Sequence, residues 1–390
     1  MPQKNDLSRS LVALEQDSTL ICVIELSGAS WLIGAIVPGV GRDPLKKLAP
    51  DEVELLKLIG RWRDEAERSG HRIARLVVAY EAGRDGFWLA RWLQARGVEA
   101  YVIHSTSVAV SREHRRAKTD RLDVGLLKRS LLGWLRGEAG HCRMAAIPSV
   151  DEEDARRPNR ERERLVKEAT RLVNRLKAAL ARWGVRGFNP KLRGAIGKLE
   201  GLRTPCGEPL APNTVAELRR DLQRLALVRQ QVRELETERL QRLAAPAAEG
   251  GSAMVRLLAR VIGVGVETSD MLVREAFSRS LRDRRAVARF AGLTGWPDES
   301  GYRRREKGLS RAGSARVRRG MIQLAWRFLR FQPDSALAQW WTRRTEHAPA
   351  KVRKTMIVAL ARKLLIALWR LATTGELPTG VVLRPDPTVA

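Results

Sequence analysis

Four carboxylates in the first third of the chain are the residues best suited to metal-assisted phosphate chemistry. Hard divalent cations prefer oxygen ligands, and several carboxylates can hold one or two such ions. Two of the acids end predicted strands, and two open a predicted helix three residues apart, so this helical pair faces one side of its first turn. The candidate ligands for Mg²⁺ or Mn²⁺ are Glu25, Glu81, Asp120 and Asp123.

Each acid also has a structural alternative. An acid in the first turn of a helix suits the helix dipole, which is worth about 0.3–1 kcal/mol, and a carboxylate at a strand end is often only solvated. Four acids at the predicted ends of elements of one domain, in an otherwise basic protein, favour the metal interpretation. A cationic run precedes Asp120 and would guide a polyanion to it, although an arginine-rich surface loop would have the same sequence. Its candidate nucleic-acid contacts are Arg115, Arg116 and Lys118.

A serine in the last third of the chain could attack or bind a phosphate. Ser300 precedes Gly301 and the arginines Arg303, Arg304 and Arg305, whose guanidinium groups could neutralise developing charge. No histidine adjacent in sequence supplies a base, so the hydroxyl would need activation by metal or by a group from elsewhere in the fold. On chemistry alone, a role in a turn or in phosphate binding fits Ser300 better than a nucleophilic one. Further candidate contacts with nucleic acid are Arg311 and Arg316.

A glycine pair lies between two predicted helices, at residues 254–261 and up to Phe277. Gly263-Val-Gly265 resembles a helix-hairpin-helix turn, whose backbone N–H groups can bind a DNA phosphate at a helix N-terminus. The spacing alone is a weak signal, and a simple glycine turn explains it equally well.

Apolar periodicity places the four acids in an α/β domain at residues 18–137. Runs at 19–24 and 31–37 predict a β-hairpin. Strands at 73–80 and 98–104 then alternate with helices at 51–69, 86–96 and 119–135. This order predicts a sheet covered by helices, and neighbouring strand ends in such sheets commonly build sites of this kind.

Residues 138–250 are predicted to form a linker and a coiled coil. The mixed charges at 151–164 indicate a linker that leads into a helix with leucines at helical spacing from Leu165 to Leu180. A second helix begins at a capping box, Thr214 to Glu217. The narrow apolar seams predict an antiparallel coiled coil, although two helices packed on a neighbouring domain would show the same pattern. A hinge at 246–252 then leads to a helical domain at 251–376 and a loose tail at 377–390.

The composition favours a polyanionic partner. The 390 residues carry 72 Lys and Arg against 44 Asp and Glu, a formal charge of +28, and so basic a chain binds polyanions at ordinary salt. Nucleic acid is the favoured partner, and a membrane surface or polyphosphate is the alternative. Three scattered cysteines argue against a disulfide framework and a structural zinc site. The polar start and the lack of a long apolar stretch predict no signal peptide and no membrane span. A cytoplasmic protein at the bacterial nucleoid is expected.

With these motifs in place, the chain resembles the DEDD-type transposases of bacterial insertion sequences, now grouped as bridge-RNA-guided recombinases. The resemblance spans almost the whole chain. It is carried by Tyr80-Glu81-Ala-Gly, by Lys118-Thr-Asp120-Arg-Leu-Asp123, and by Ser300-Gly301 followed by Gly308-Leu-Ser310-Arg-Ala-Gly313. The last two motifs, in this order and at this separation, are fairly specific.

The resemblance implies an N-terminal domain of the RuvC type with an RNase-H-like fold, whose four acids bind Mg²⁺. It implies a coiled coil that mediates assembly into a dimer or tetramer, and a C-terminal transposase domain with Ser300 as nucleophile. A composite active site between subunits and an element-encoded guide RNA that pairs with target and donor DNA are also expected. Glu25 stands where the family usually has Asp, and Arg311 where many relatives have Lys.

The predicted function is therefore a transposase that cuts, exchanges and rejoins DNA strands through transient phosphoserine links. A covalent link conserves bond energy, so rejoining needs no ATP, and the sequence has no Gly-x-x-x-x-Gly-Lys-Ser/Thr phosphate loop. One alternative is a junction-resolving endonuclease that uses metal alone. The other is a non-catalytic nucleic-acid-binding protein derived from a decayed transposase.

Overall fold

The chain forms two compact units, residues 1–149 and 150–390. A computed structural model describes residues 8–81, 83, 86–104, 107–108, 119–138, 140–245, 251–300 and 302–385, with the backbone alone at 296–299 and 303–307. None of the described helices is long and apolar enough to span a membrane. The division into domains at 18–137, 138–250 and 251–376 stays a prediction.

The first unit is built on a mixed sheet of six strands in the order β3-β2-β1-β4-β5-β6. Strands β1, β4 and β5 are parallel, while β2, β3 and β6 are antiparallel to their neighbours. The strands are β1 (Thr19–Leu26), β2 (Trp31–Ile36), β3 (Leu45–Leu48), β4 (Arg75–Glu81), β5 (Glu99–Ile103) and β6 (Met144–Ala145). The predicted α/β architecture is confirmed.

Helices cover both faces of the sheet, which explains why β1 is a continuous apolar run rather than an alternating one. Side chains of even-numbered β1 residues, such as Cys22, pack with α1 (Glu52–Arg68) and α2 (Trp88–Gln94). Side chains of odd-numbered ones, such as Val23, pack with α3 (Asp120–Leu135). The short strands β3 and β6 were not predicted, because four and two residues are too few to show a periodicity.

Two long antiparallel helices open the second unit, together with the short helices α4 (Val150–Asp154) and α6 (Ala195–Leu199). Leucines of α5 (Arg157–Arg182) and α7 (Pro212–Ala244) form one buried cluster. Arg162 near the start of α5 pairs with Glu236 near the end of α7, while Arg175 pairs with Asp221 closer to the loop between them. These pairs fix the antiparallel direction of the two helices.

Helices α5 and α7 both begin earlier in the chain than the sequence predicts, and each has a proline in its first turn. The predicted linker at 151–164 is wrong, since α5 already begins at Arg157 with Pro158 in its first turn. The predicted capping box at Thr214 is also wrong, since α7 begins at Pro212 without a side-chain cap. Proline is favoured there because its fixed φ suits a helix and the first N–H groups need no helical partner.

The rest of the second unit is helical around one large core. A π-helical turn at Val273–Phe277 extends α9, and this pair of helices confirms the predicted helix up to Phe277. Residues 295–309, expected to be a loop, instead form a two-stranded hairpin. The elements are α8 (Gly251–Arg260), α9 (Val266–Leu272), α10 (Arg284–Phe290), β7 (Gly295–Ser300), β8 (Arg303–Leu309), α11 (Ala315–Phe331), α12 (Ala336–Thr345) and α13 (Ala350–Thr374).

Candidate functional site

Glu25 and Glu81 lie at the ends of two neighbouring parallel strands. The register of β1 against β4 aligns Ile24 with Tyr80, and each glutamate is the next residue of its strand. Side chains alternate between the faces of a sheet. Glu25 therefore shares its face with Val23, and Glu81 shares its face with Ala79, both of which pack in the core beneath α3. The two carboxylates thus project from matching positions on the face that α3 covers.

The first turn of α3 supplies the other two acids. Its N-cap residue Thr119 accepts a hydrogen bond from the backbone N–H of Leu122 at 3.3 Å, which starts the helix at Asp120. Asp120 is exposed and Asp123 is half-buried. The helix packs on β1, β2 and β4.

A close approach sets the height of α3 on the sheet. A Cβ atom placed on Gly34 of β2 would lie 2.5 Å from Cγ1 of Val124, the residue after Asp123. Gly34 pairs with Val23, two residues before Glu25. The contact therefore fixes one point of α3 on the sheet, at the residue that follows Asp123.

The four acids share a face of the sheet without forming a ready-made ligand cluster. Within the ranges that the structure describes, no three Asp, Glu, His or Cys residues lie close enough to hold one metal ion. The donor chemistry suits Mg²⁺, because every candidate is a hard oxygen ligand. The cationic run with Arg115, Arg116 and Lys118 lies outside the described residues.

Another carboxylate of the sheet has a structural role. Glu99 at the start of β5 binds Arg75 at the start of β4, with bonds of 2.6 and 2.7 Å, and also accepts from Tyr101. Burial alone would raise the pKa of Glu99, but the hydrogen bonds from Arg75 and Tyr101 hold it below its usual value. This ion pair lies at the opposite strand ends from Glu25 and Glu81.

Ser300 is the last residue of β7, opposite Arg303 in the hairpin. Ser300 is exposed, and the next described residue, Tyr302, is fully exposed. The backbone register also sets Arg304 and Arg305 opposite the strand that ends in Ser300, while the side chains of these arginines lie outside the described part. Ser300 is thus presented to solvent at the tip of a hairpin.

The base of the hairpin is tightly anchored. Thr294 and Ser310 share a side-chain hydrogen bond of 3.2 Å. Arg311 has a φ of 53°, a left-handed conformation that is unusual for a residue with a side chain. The guanidinium of Arg318 on α11 donates to the carbonyl of Arg311 at 3.1 Å. Burial and the nearby cations Arg311 and Arg319 lower the pKa of Arg318. The sequence did not single out Arg318 as the residue that supports this turn.

Arg316 has its guanidinium engaged by two carboxylates. It binds Glu163 of α5 at 2.5 Å and Glu275 of the π-helical turn at 2.7 Å. A contact of Arg316 with nucleic acid stays a prediction.

The glycine turn between α8 and α9 is present. Gly263 has a φ of 90°, and its carbonyl accepts from Arg327 at 2.8 Å. A Cβ on Gly263 would lie 2.9 Å from Cβ of Phe331, so the turn is pressed against α11. Gly265 is the N-cap of α9 and has no side chain to cap its first N–H groups. Phosphate binding at Gly263 and Gly265 stays a prediction.

Comparison with known proteins now gives the class. Residues 255–341, from α8 to α12 and including Ser300, match the family described as Transposase IS116/IS110/IS902. The Sinorhizobium fredii protein y4rJ, by its name a candidate transposase, is 39% identical over 393 aligned residues, which cover 97% of this chain and 98% of y4rJ. The protein is therefore a transposase. It belongs to the IS110 group, the IS116/IS110/IS902 family.

Proposed function

We propose that this transposase exchanges DNA strands through a covalent link to Ser300, with the carboxylates of the first unit holding Mg²⁺. The observation that carries the proposal is the position of Ser300. It is exposed at the tip of an anchored hairpin, beside three arginines in the sequence, within the segment that matches the transposase family.

The proposed step balances without an added cofactor. Ser300 Oγ attacks a DNA phosphorus, a P–O bond to the sugar breaks, and the leaving sugar oxygen takes a proton. The hydroxyl of the recipient strand then attacks the phosphoserine ester, which re-forms a phosphodiester and releases Ser300. Because the ester keeps the bond energy, no ATP is consumed. Arginine donors near the phosphate would stabilise the added charge in both steps.

The first unit would contribute the metal-binding carboxylates. Glu25 and Glu81 from the strands and Asp120 and Asp123 from α3 would hold Mg²⁺, which would polarise phosphate oxygen. The sheet order and the position of α3 support an RNase-H-like, RuvC-type fold for this unit. Glu25 has one methylene more than the Asp that the family resemblance implies at this position, so we expect its carboxylate to reach the metal from further away.

Assembly and guidance complete the proposal. The antiparallel helices α5 and α7 would act as a coiled coil that joins copies into a dimer or tetramer. The acids of one copy would then serve the serine of another, assisted by a guide RNA. The strongly basic composition supports binding to DNA and to RNA.

A denaturing gel tests the proposal. Wild-type protein with element-end DNA, guide RNA and Mg²⁺ should give a covalent protein–DNA band that Ser300→Ala abolishes. Ser280→Ala, at an exposed serine outside the hairpin, should keep the band. Nicked DNA without a covalent band, equally formed by Ser300→Ala, would instead show the metal-only endonuclease. Binding without cleavage under any metal would show a decayed transposase.

A further inference from the structure

Helices α11, α12 and α13 carry many more basic than acidic side chains. Residues 315–374 contain thirteen Lys and Arg but only two acids, Asp334 and Glu346, both between helices. Several of the cations are engaged within the protein, such as Arg327 with the carbonyl of Gly263. Among the described residues, Arg330, Arg343 and Lys363 form no ion pair with a carboxylate. The charges of these three cations are therefore not neutralised by a carboxylate among the described residues.

One stripe of α11 places a tryptophan within this charge. Arg319, Gln323, Trp326 and Arg330 follow one another at helical spacing, and all four are exposed. Residues four apart on a helix are neighbours on its surface, so Arg330 lies one turn from Trp326. The indole of Trp326 is 49% exposed. A large aromatic ring thus faces solvent between side chains that donate hydrogen bonds.

The ring is held in place by its neighbours. Trp326 makes an edge-to-face contact with Trp341 of α12, with centroids 6.2 Å apart. The adjacent Trp340 lies beneath two cations, with Lys363 Nζ 4.7 Å and Arg344 Cζ 5.5 Å from its ring centroid. We call Trp326, Arg330, Trp340, Trp341, Arg344 and Lys363 the tryptophan surface. A fixed ring pays little side-chain entropy when a ligand stacks on it.

We propose that the tryptophan surface binds an unpaired segment of DNA, with a base stacked on Trp326 and the neighbouring phosphates on Arg330 and the surrounding cations. Aromatic rings interleaved with cations are how proteins hold single strands, because every base offers a π-face and the backbone is anionic. A duplex hides its base faces in its own stack, so it would contact only the cations. The inference rests on the proposed function, because strand exchange must expose unpaired DNA.

Fluorescence anisotropy of the full-length protein with a labelled oligonucleotide of about 12 nucleotides tests the proposal. The measurement is made at about 150–200 mM salt, where non-specific binding is weakened. Trp326→Ala should weaken binding to the single strand about tenfold or more, while Trp326→Phe should keep most of the affinity. Binding to a duplex of the same sequence should change less than about twofold for both variants. Trp183→Ala, which removes an indole that is 37% exposed after α5, should bind as the wild type does.

Equal losses on single strand and duplex, or no loss with Trp326→Ala, would overturn the proposal. An effect confined to RNA of the same sequence would overturn the assignment to DNA. A change of sedimentation coefficient in Trp326→Ala would show that this face joins copies of the chain instead. The binding assay is repeated with Ser300→Ala, which should bind the single strand as the wild type does. If no variant, and not the wild type either, gives a covalent product on the denaturing gel, the proposed strand transfer is wrong. A loss of single-strand affinity confined to Trp326→Ala would still support the tryptophan surface.

Discussion

Arg316 joins Glu163 and Glu275, two carboxylates that are more than one hundred residues apart in sequence. Its Nε donates to Glu163 at 2.5 Å and its Nη1 donates to Glu275 at 2.7 Å. Glu163 accepts further bonds from Lys167 and Arg319, each at 2.7 Å. The ion pairs tie α11, next to the Ser300 hairpin, to α5 and to the π-helical turn. We expect this connection to be sensitive to acid.

Glu163 should make the second unit lose stability as the pH falls below 4.5. Burial acts to raise its pKa, but hydrogen bonds from Lys167 and Arg316 lower it from 4.5 to about 2. Because the folded pKa is depressed, the stabilisation is present above pH 4.5 and is lost as the pH falls towards 2. Glu163→Gln should lower the urea midpoint of helical circular dichroism near neutral pH, and the gap to wild type should narrow in acid. Glu346→Gln, at an exposed carboxylate, should show no such gap, and a gap for Glu163→Gln that is independent of pH would contradict the prediction.

Replacing the buried Arg239 should strongly destabilise the second unit. Its side chain is 2% exposed, it binds Glu267, and its Nε lies 3.1 Å from Asp270 as an ion pair without the alignment of a hydrogen bond. Arg239→Leu leaves these carboxylates without their central cation, and breaking a buried pair costs about 3–5 kcal/mol. Urea unfolding followed by circular dichroism measures the loss.

Arg219→Leu is the matched control, because it removes the same charge from an exposed pair with Glu200, whose side chains are 44% and 70% exposed. Such a pair contributes about 0–1 kcal/mol. Similar losses in the two variants would mean that the buried cluster around Arg239 contributes no more than a surface pair.

Gly34 should control the position of the acidic turn of α3. Gly34→Ala forces a methyl group towards Val124, and overpacking of this kind costs about 1–3 kcal/mol. The displaced helix should also raise the Mg²⁺ concentration needed for half-maximal DNA cleavage. Gly125→Ala is the control, because no heavy atom lies within 4 Å of its added methyl and alanine stabilises a helix by about 0.5–1 kcal/mol. A normal Mg²⁺ requirement in Gly34→Ala would show that the contact does not position Asp123.

DNA binding should depend steeply on salt. With a formal charge of +28, the protein is expected to make several phosphate contacts, each of which releases counterions. Affinity for duplex DNA should then fall by orders of magnitude between about 50 and 200 mM salt. A titration that shifts less than tenfold over this range would argue against phosphate contacts as the main source of affinity.

The strand ends that carry the acids were predictable, whereas their alignment was not. The apolar runs before Glu25 and Glu81 end at these residues, so each is recognisable as a strand end from its own neighbourhood. The pairing of Ile24 with Tyr80 joins strands more than fifty residues apart, and short-range periodicity does not encode it. The approach of Val124 to Gly34 is likewise a packing relation without a sequence motif.

The hairpin and the ion pairs also depend on contacts that the local sequence does not predict. Pro297 and the charged residues around Ser300 have low strand propensity, so the sequence predicts a loop there, whereas β7 and β8 pair as antiparallel strands with a register shift between Gly295 and Pro297. Arg316 looked like part of a cationic run directed at nucleic acid. Its partner Glu163 is 153 residues earlier, and only the fold brings the two together.

The ion pairs within the second unit also affect how its charge is distributed between interior and surface. They draw acids such as Glu163, Asp270 and Glu275 inward, while α11 to α13 display cations with almost no acids among them. The exposed surface of these helices is thus cationic, because part of the balancing negative charge is buried in ion pairs. We expect a protein of this charge to be bound to a polyanion for most of the time. It would then locate its target by transfer from one nucleic acid to another. The concentration of competing polyanions would limit the rate at which it reaches the target.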